Sequence, residues 1–351
     1  MTNLSFLIVK TSAIGDILHT LDVAQYLKQR FPQCSIAWVV DEKFKDLVKA
    51  SPYVDEAIGV NMKCFKKKPL QLLFSFFSVK RLLGKKTYDV AFDLQGNSKS
   101  AAILLLIKAK DKVGFGRKSV FEWPNLLATR TKINIDMSLQ VSKQYLSLVK
   151  SYFQDEEKTV LLPHLLKIGE GKIPEAFSQR EEKPQVMVCP GSNWVNKQLS
   201  EATLLSFLQE IEKKYHPVFV FIWGNLEEKK LAIRLQQHFP DSKITGALSL
   251  AVWQALMQSM DCVISVDSCA LHLAALAHVS TLSIYGPSSS KIYKPEGDKH
   301  LAYQGACPYQ QAFTRRCKKL RTCKTGACMK NISSYSLAEA FEQLWEKHSC
   351  K

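Results

Sequence analysis

Four short stretches bring together residue types that can act on a hydroxyl-bearing or phosphorylated ligand. The first is Lys10-Thr11-Ser12-Ala13-Ile14-Gly15-Asp16-Ile17-Leu18-His19-Thr20. It holds a carboxylate, Asp16, at the start of an apolar-periodic segment. The dipole of a helix beginning there keeps such a carboxylate ionised, and an ionised carboxylate can take a proton from a sugar hydroxyl. A first-turn aspartate also serves as a helix cap; spacing alone leaves both roles open. The second stretch is Pro190-Gly191-Ser192-Asn193-Trp194-Val195-Asn196-Lys197, small residues that admit a phosphate close to the backbone, followed by a cation. The third, Trp223-Gly224-Asn225-Leu226-Glu227-Glu228, offers acids that can accept from ribose hydroxyls or simply stabilise a first helical turn. The fourth is Ser265-Val266-Asp267-Ser268-Cys269-Ala270-Leu271-His272. A helix start at Ser268 and Cys269 aims backbone N–H groups at an anion. His272 lies one turn on, where a core histidine is also ordinary.

These stretches need strands and helices to place them. Apolar runs predict strands at Leu4–Val9, Ser35–Val40, Ala57–Val60, Tyr88–Leu94 and Lys112–Gly114. Helical periodicity falls at Asp16–Arg30, Glu42–Lys49, Leu70–Leu83, Ser98–Ile107 and Met137–Phe153. After a polar, charged stretch from Gln154 to Pro184 the pattern restarts. Strands are expected at Gln185–Cys189, Pro217–Trp223, Cys262–Val266 and Thr281–Tyr285, and helices at Ser200–Tyr215, Glu227–Phe239, Leu250–Met260, Ser268–Ala277 and Ser336–Trp345. Alternating strand and helix predicts an α/β chain of two Rossmann-like, doubly wound domains facing a cleft. The expected division is 1–165 for an acceptor-binding domain and 166–335 for a nucleotide-sugar domain. The helix in 336–351 is expected to pack back on the first domain. Each of the four stretches then sits at the carboxyl end of a strand, where open parallel sheets bind ligands.

Composition bounds the partners. With 351 residues, 46% hydrophobic and 23% charged, the chain is an ordinary globular one of two domains. No apolar run reaches the roughly 18–20 residues of a membrane span, and no leader pattern precedes Leu4, so a cytoplasmic protein is expected. The net charge of +16 is unevenly spread. No acid lies between Glu56 and Asp89, where Lys63, Lys66, Lys67, Lys68, Lys80, Arg81, Lys85 and Lys86 fall. None lies between Asp298 and Glu339, which enclose Arg315, Arg316, Lys318, Lys319, Arg321, Lys324 and Lys330. Such fields suit an anionic partner. Leu70–Leu83, apolar on much of its circumference and bracketed by lysines, suits a membrane surface or a core-facing helix. Nucleic acid is disfavoured, since no RNP, KH or zinc-finger pattern occurs. Also absent are GxGxxG, a Walker loop, DxD, GxSxG and HExxH. Cys34, Cys189 and Cys262 read as small core residues. Cys307, Cys317, Cys323 and Cys328 cluster late in the chain, more widely and irregularly spaced than zinc ligands usually are.

Taken together the loops resemble glycosyltransferase family 9, the lipopolysaccharide heptosyltransferases. The residues that carry the resemblance are Lys10 to Thr20, Asp93-Leu94-Gln95-Gly96-Asn97-Ser98-Lys99-Ser100, Lys197, Trp223-Gly224, Ser265 to Leu273 and Tyr285-Gly286-Pro287-Ser288. They span nearly the whole chain, and the opening motif is more like the heptosyltransferase I branch than II. The resemblance implies a GT-B fold and transfer of a heptose from ADP-heptose to the Kdo of a Kdo-lipid A acceptor, with inversion. It implies no cofactor and no metal, and a monomer working at the inner face of the cytoplasmic membrane. The alternative is the same fold and mechanism with a different nucleotide-sugar donor, such as a hexose donor, or a different acceptor. Asp16 matches the family's proposed base. Ser192, Lys197, Asp267, Ser268, Cys269, His272 and Ser288 fall on the donor side, with Glu227 or Glu228 as the ribose-binding acid. Lys10, Thr11, Ser12, Gly15, Gln95 and Arg117 fall on the acceptor side, with Lys63, Lys66 and Lys67 of the basic segment. The late cysteines resemble a Cys-containing segment of many members. The chain departs from the pattern at Lys197-Gln198-Leu199 and at Cys269, where the family often has a glycine.

Overall fold

The computed structural model describes residues 3–62, 80–81, 84, 86–177 and 182–349. Lys63, Lys66 and Lys67 lie outside them, as does the expected helix Leu70–Leu83 apart from Lys80 and Arg81. The chain forms two units, Met1–Lys167 and Ile168–Lys351.

The first unit carries strands β1 (Ser5–Val9), β2 (Ser35–Asp41), β3 (Glu56–Val60), β4 (Thr87–Asp93), β5 (Lys108–Phe115) and β6 (Thr131–Ile133). Its helices are α1 (Ile14–Arg30), α2 (Lys45–Lys49), α3 (Ser98–Leu106) and α4 (Val141–Tyr152). The strands make one sheet in the order β3-β2-β1-β4-β5-β6, with all neighbours parallel. Phe6 to Val9 of β1 are fully buried, as a strand covered on both faces must be.

The second unit repeats this plan. Its strands are β7 (Gln185–Cys189), β8 (Val218–Trp223), β9 (Lys243–Gly246), β10 (Cys262–Val266), β11 (Thr281–Tyr285) and β12 (His300–Gln304). Its helices are α5 (Glu201–Tyr215), α6 (Leu226–Gln236), α7 (Leu250–Met257), α8 (Cys269–Leu276), α9 (Ser290–Tyr293), α10 (Ala327–Lys330) and α11 (Ser334–Ser349). The order β12-β11-β10-β7-β8-β9 is again all parallel.

In both sheets the chain runs outward to one edge, then returns to lay its fourth strand beside its first. The crevice at that reversal lies between the carboxyl ends of β1 and β4 in one unit and of β7 and β10 in the other, the place where doubly wound sheets hold ligands.

The strands β6, β9 and β12 go beyond the sequence reading: each is a sheet edge, short or polar, and an edge needs no continuous apolar run. The first unit runs to Lys167. The closing helix α11 places Leu337, Ala340, Phe341 and Leu344 in the second unit's core with Phe207, Ile211, Leu282 and Ile284. No helix of the described residues is long and apolar enough to cross a membrane.

Candidate functional site

The first unit's crevice is built from a buried carboxylate outward. Asp93 ends β4 with no exposed surface. Its Oδ1 accepts the backbone N–H groups of Gln95 at 2.9 Å and Gly96 at 3.1 Å. Its Oδ2 accepts the Ser100 hydroxyl at 2.8 Å and the Asn125 amide at 2.5 Å. Burial pushes this carboxyl up from its ordinary value, and the four donors act against that shift. Gly96 turns the chain at φ 68°, and a Cβ there would meet the ring of Phe115 at 2.9 Å. The tight turn aims Gln95 at the opening loop. Its Oε1 accepts from Thr11 N at 3.0 Å, Thr11 Oγ1 at 3.2 Å and Ser12 N at 3.1 Å. One side chain thus fixes the loop that leads into α1.

Asp16 stands in the first turn of α1, half-buried, and its Oδ2 accepts from Ala13 N at 3.4 Å. Gly15 precedes it without a side chain that would cover it. Lys10 behaves differently from its neighbours. It is buried, and its ammonium donates to Leu94 O at 2.9 Å and to the Tyr145 hydroxyl of α4 at 2.6 Å. It ties the ends of β1 and β4 to α4. Arg117 is exposed just beyond β5. The crevice therefore gathers Thr11, Ser12, Gly15, Asp16 and Gln95, with Arg117 one strand further along.

The second unit holds a buried ion pair at its crevice. Lys197 Nζ lies 2.5 Å from Asp267 Oδ2, and both side chains are 8% exposed. Burial raises the Asp267 carboxyl, but the Lys197 charge and hydrogen bond, with Ser288 and His272 nearby, outweigh it and hold the carboxyl below its ordinary value. Lys197, Asp267, His272 and Ser288 thus form one cluster. At the start of α8, Ser268 does not cap the helix with its side chain; its hydroxyl turns 3.2 Å from Ser265 Oγ. Burial pushes the Cys269 thiol up to about 11 and raises the Cys189 thiol well above its ordinary value, so both stay protonated at neutral pH.

Beside this cluster lies a cavity of about 970 Å³. Its wall includes Gly191, Ser192, Asn225, Glu227, Glu228 and Ser265. The structure separates the two glutamates. Glu228 Oε2 accepts Gly224 N at 2.7 Å, and a Cβ on Gly191 would strike Glu228 Oε1 at 2.2 Å. That side chain lies over the loop after β7. Glu227 pairs with Lys230 at 2.8 Å on the helix surface and is 81% exposed. The sequence could not choose between them. Asn225, which caps α6 by accepting Glu228 N at 3.0 Å, sets the difference. Asp93 and Asn125 were not singled out as site residues. Asn125 lies on a 3-10 turn far from the loop in sequence, so no local pattern marks it. Among the described residues no group of three or more His, Cys, Asp or Glu side chains is placed to hold a metal ion as it stands.

Residues 76–322 match Glycosyltransferase family 9 (heptosyltransferase). The chain is 29% identical over 307 residues to lipopolysaccharide heptosyltransferase 1 of Campylobacter coli, covering 83% of this chain and 87% of that one. It is 26% identical over 290 residues to lipopolysaccharide heptosyltransferase 1 of Pseudomonas aeruginosa, covering 81% and 79%. Among solved structures, E. coli heptosyltransferase WaaC with ADP superposes with a TM-score of 0.77 at 19% identity, covering 97% of this chain and 100% of that one. The E. coli ADP-heptose lps heptosyltransferase II gives 0.70 at 17% identity, with 99% and 100% covered.

Proposed function

This chain belongs to glycosyltransferase family 9, the heptosyltransferases, and on that premise we propose that it moves a heptose from ADP-heptose to the Kdo region of a lipopolysaccharide inner core. The fold is of the GT-B type and the protein is a glycosyltransferase. The donor and the acceptor are our reading, supported by relatives named lipopolysaccharide heptosyltransferase 1 and by a heptosyltransferase of like fold solved with ADP. The observation that carries it is the buried Lys197–Asp267 pair beside a cavity walled by Glu228 and Ser192.

In this reading Asp16 takes the proton of the acceptor hydroxyl while that oxygen attacks the anomeric carbon, with inversion. The bond to the leaving diphosphate breaks and charge grows on ADP. Lys197 and the N–H groups opening α8 meet that charge, preorganised stabilisation that needs no metal at the phosphates. Asp267 engages one of the three ammonium donors and holds the lysine in place. Glu228 accepts from the ribose. The Gln95-ordered loop, with Thr11, Ser12, Gly15 and Arg117, receives the acceptor, and the basic segment of Lys63, Lys66 and Lys67 supplies positive charge for its anionic groups. The protein works as a monomer in the cytoplasm at the inner face of the membrane.

The test measures ADP release with ADP-heptose and Kdo-lipid A for the wild type and for Asp16→Ala. We expect turnover to fall by at least about 10²-fold, the usual weight of a general base, with donor binding kept. Unchanged turnover removes Asp16 as base. Faster turnover with a hexose nucleotide than with ADP-heptose overturns the donor.

A further inference from the structure

We propose that Cys307, Cys317, Cys323 and Cys328 form a tetrathiolate site for a thiophilic ion of the zinc class, set beside the loops that carry Lys197 and Ser288. All four line one small void of about 20 Å³, room for a single atom-sized guest. Cys328 lies within electrostatic reach of the other three. No carboxylate or imidazole shares that wall, which otherwise holds apolar residues with Asn196, Tyr309 and Thr325. Sulfur ligands alone select zinc or iron over magnesium or calcium.

The backbone around Cys323 is shaped for a bound thiolate. The N–H groups of Thr325 and Gly326 point at its sulfur, and the Thr325 hydroxyl lies 3.6 Å away. Gly326, at φ 59°, makes that turn. Such donors are the supporting shell that orients a metal ligand. Four thiolates around a divalent ion leave a net charge of −2. Arg315, Arg316, Lys318, Lys319, Arg321 and Lys324 supply the balance in a stretch with no acid. Residues 305–326 contain no helix and no strand beyond one isolated bridge at Arg316. A loop of that length in a compact unit needs a tie, and ion binding is one. The spacing that argued against a metal in the sequence reflects ligands drawn from a folded loop rather than from two hairpins. The thiols do not yet stand as a closed set, so uptake rotates the side chains inward and releases the thiol protons to solvent.

The loop is fastened to both donor loops. Asn196 donates to Leu320 O and Cys323 O, each at 2.9 Å. Cys317 N donates to Pro287 O at 2.6 Å and Ser289 N to Arg315 O at 2.7 Å. The ion is therefore a structural tie one residue from Lys197 and from Ser288, distinct from the reacting atoms.

The test is elemental analysis of the full-length protein, purified under reducing conditions from cells supplied with both zinc and iron. We expect one ion per chain, colourless for zinc or absorbing in the visible for iron. Cys317→Ser and Cys323→Ser lose it, and Cys34→Ser keeps it. If the serine variants aggregate, cobalt(II) exchanged into the wild type is expected to show sulfur-to-cobalt charge transfer and a tetrahedral ligand-field spectrum. A protein without stoichiometric metal whose four thiols alkylate without a chelator overturns the proposal. So does a disulfide among the four in the mass spectrum, or a cobalt spectrum without sulfur ligation. None of these readouts depends on which sugar is transferred.

Discussion

Two buried carboxylates, Asp93 and Asp267, organise the two crevices by opposite means. Asp93 is held by neutral donors and Asp267 by an ammonium. For Asp267 the folded-state value is depressed, so its stabilisation is complete above the ordinary carboxylate value of about 4 and is lost as pH falls through the lower folded value. Lys197→Met removes the strongest group opposing burial and leaves a buried charge. We expect it to cost about 3–5 kcal/mol at neutral pH. The sign then reverses: burial raises the Asp267 carboxyl, which is relieved as pH falls and it protonates. The stability gap between variant and parent should therefore narrow from pH 7 toward pH 4, read by denaturant titration. A gap that stays constant over that range refutes the role given to the pair. The residue types here were legible in the sequence, because Asp16, Lys197 and Asp267 each sit between an apolar run and a helical period. Asn125 and Tyr145 were not, because contacts across many residues decide them; the choice of Glu228 rests on the local geometry of the cap at Asn225 and the bond to Gly224 N, which residue spacing does not give.

At the scale of elements, the central strands declared themselves. β1, β7 and β10 are apolar nearly throughout because both faces are covered. The edge strands β6 and β9 read Thr-Lys-Ile and Lys-Ile-Thr-Gly, since one side of an edge meets water. The closing helix was visible by its period, but no period says which surface an apolar face will meet. That face is now assigned. Phe341 stacks on Trp345 at 5.3 Å and packs edge-on against Tyr215 at 5.7 Å, fastening α11 to α5. Phe341→Ala should cost about 3–5 kcal/mol. Chemical denaturation with the Trp signals of the second unit is the measurement. A loss below about 1 kcal/mol contradicts the packing described, that being the scale of a surface change.

At the scale of the molecule, repetition explains why one sequence pattern could be read twice. Both units use one strand order, so both present their working loops at the same place in the sheet. The net charge of +16 acts on the whole chain. We expect it to bind vesicles rich in anionic lipid at low ionic strength and to leave them near about 1 M salt, where screening shortens to about 3 Å. Binding that sedimentation shows to be indifferent to salt, or equal on neutral vesicles, excludes a charge-driven association. The position of α11 also has a consequence for the order of events at the ribosome. The first unit is complete at Lys167 and can fold while the rest is still being made. The second cannot, because Leu337, Phe341 and Leu344 close one face of a sheet whose first strand began at Gln185. Throughout that interval the nascent second half carries a bare apolar surface. A ribosome that stalls before Ser334 releases a chain whose first half is sound and whose second half is a client for chaperones.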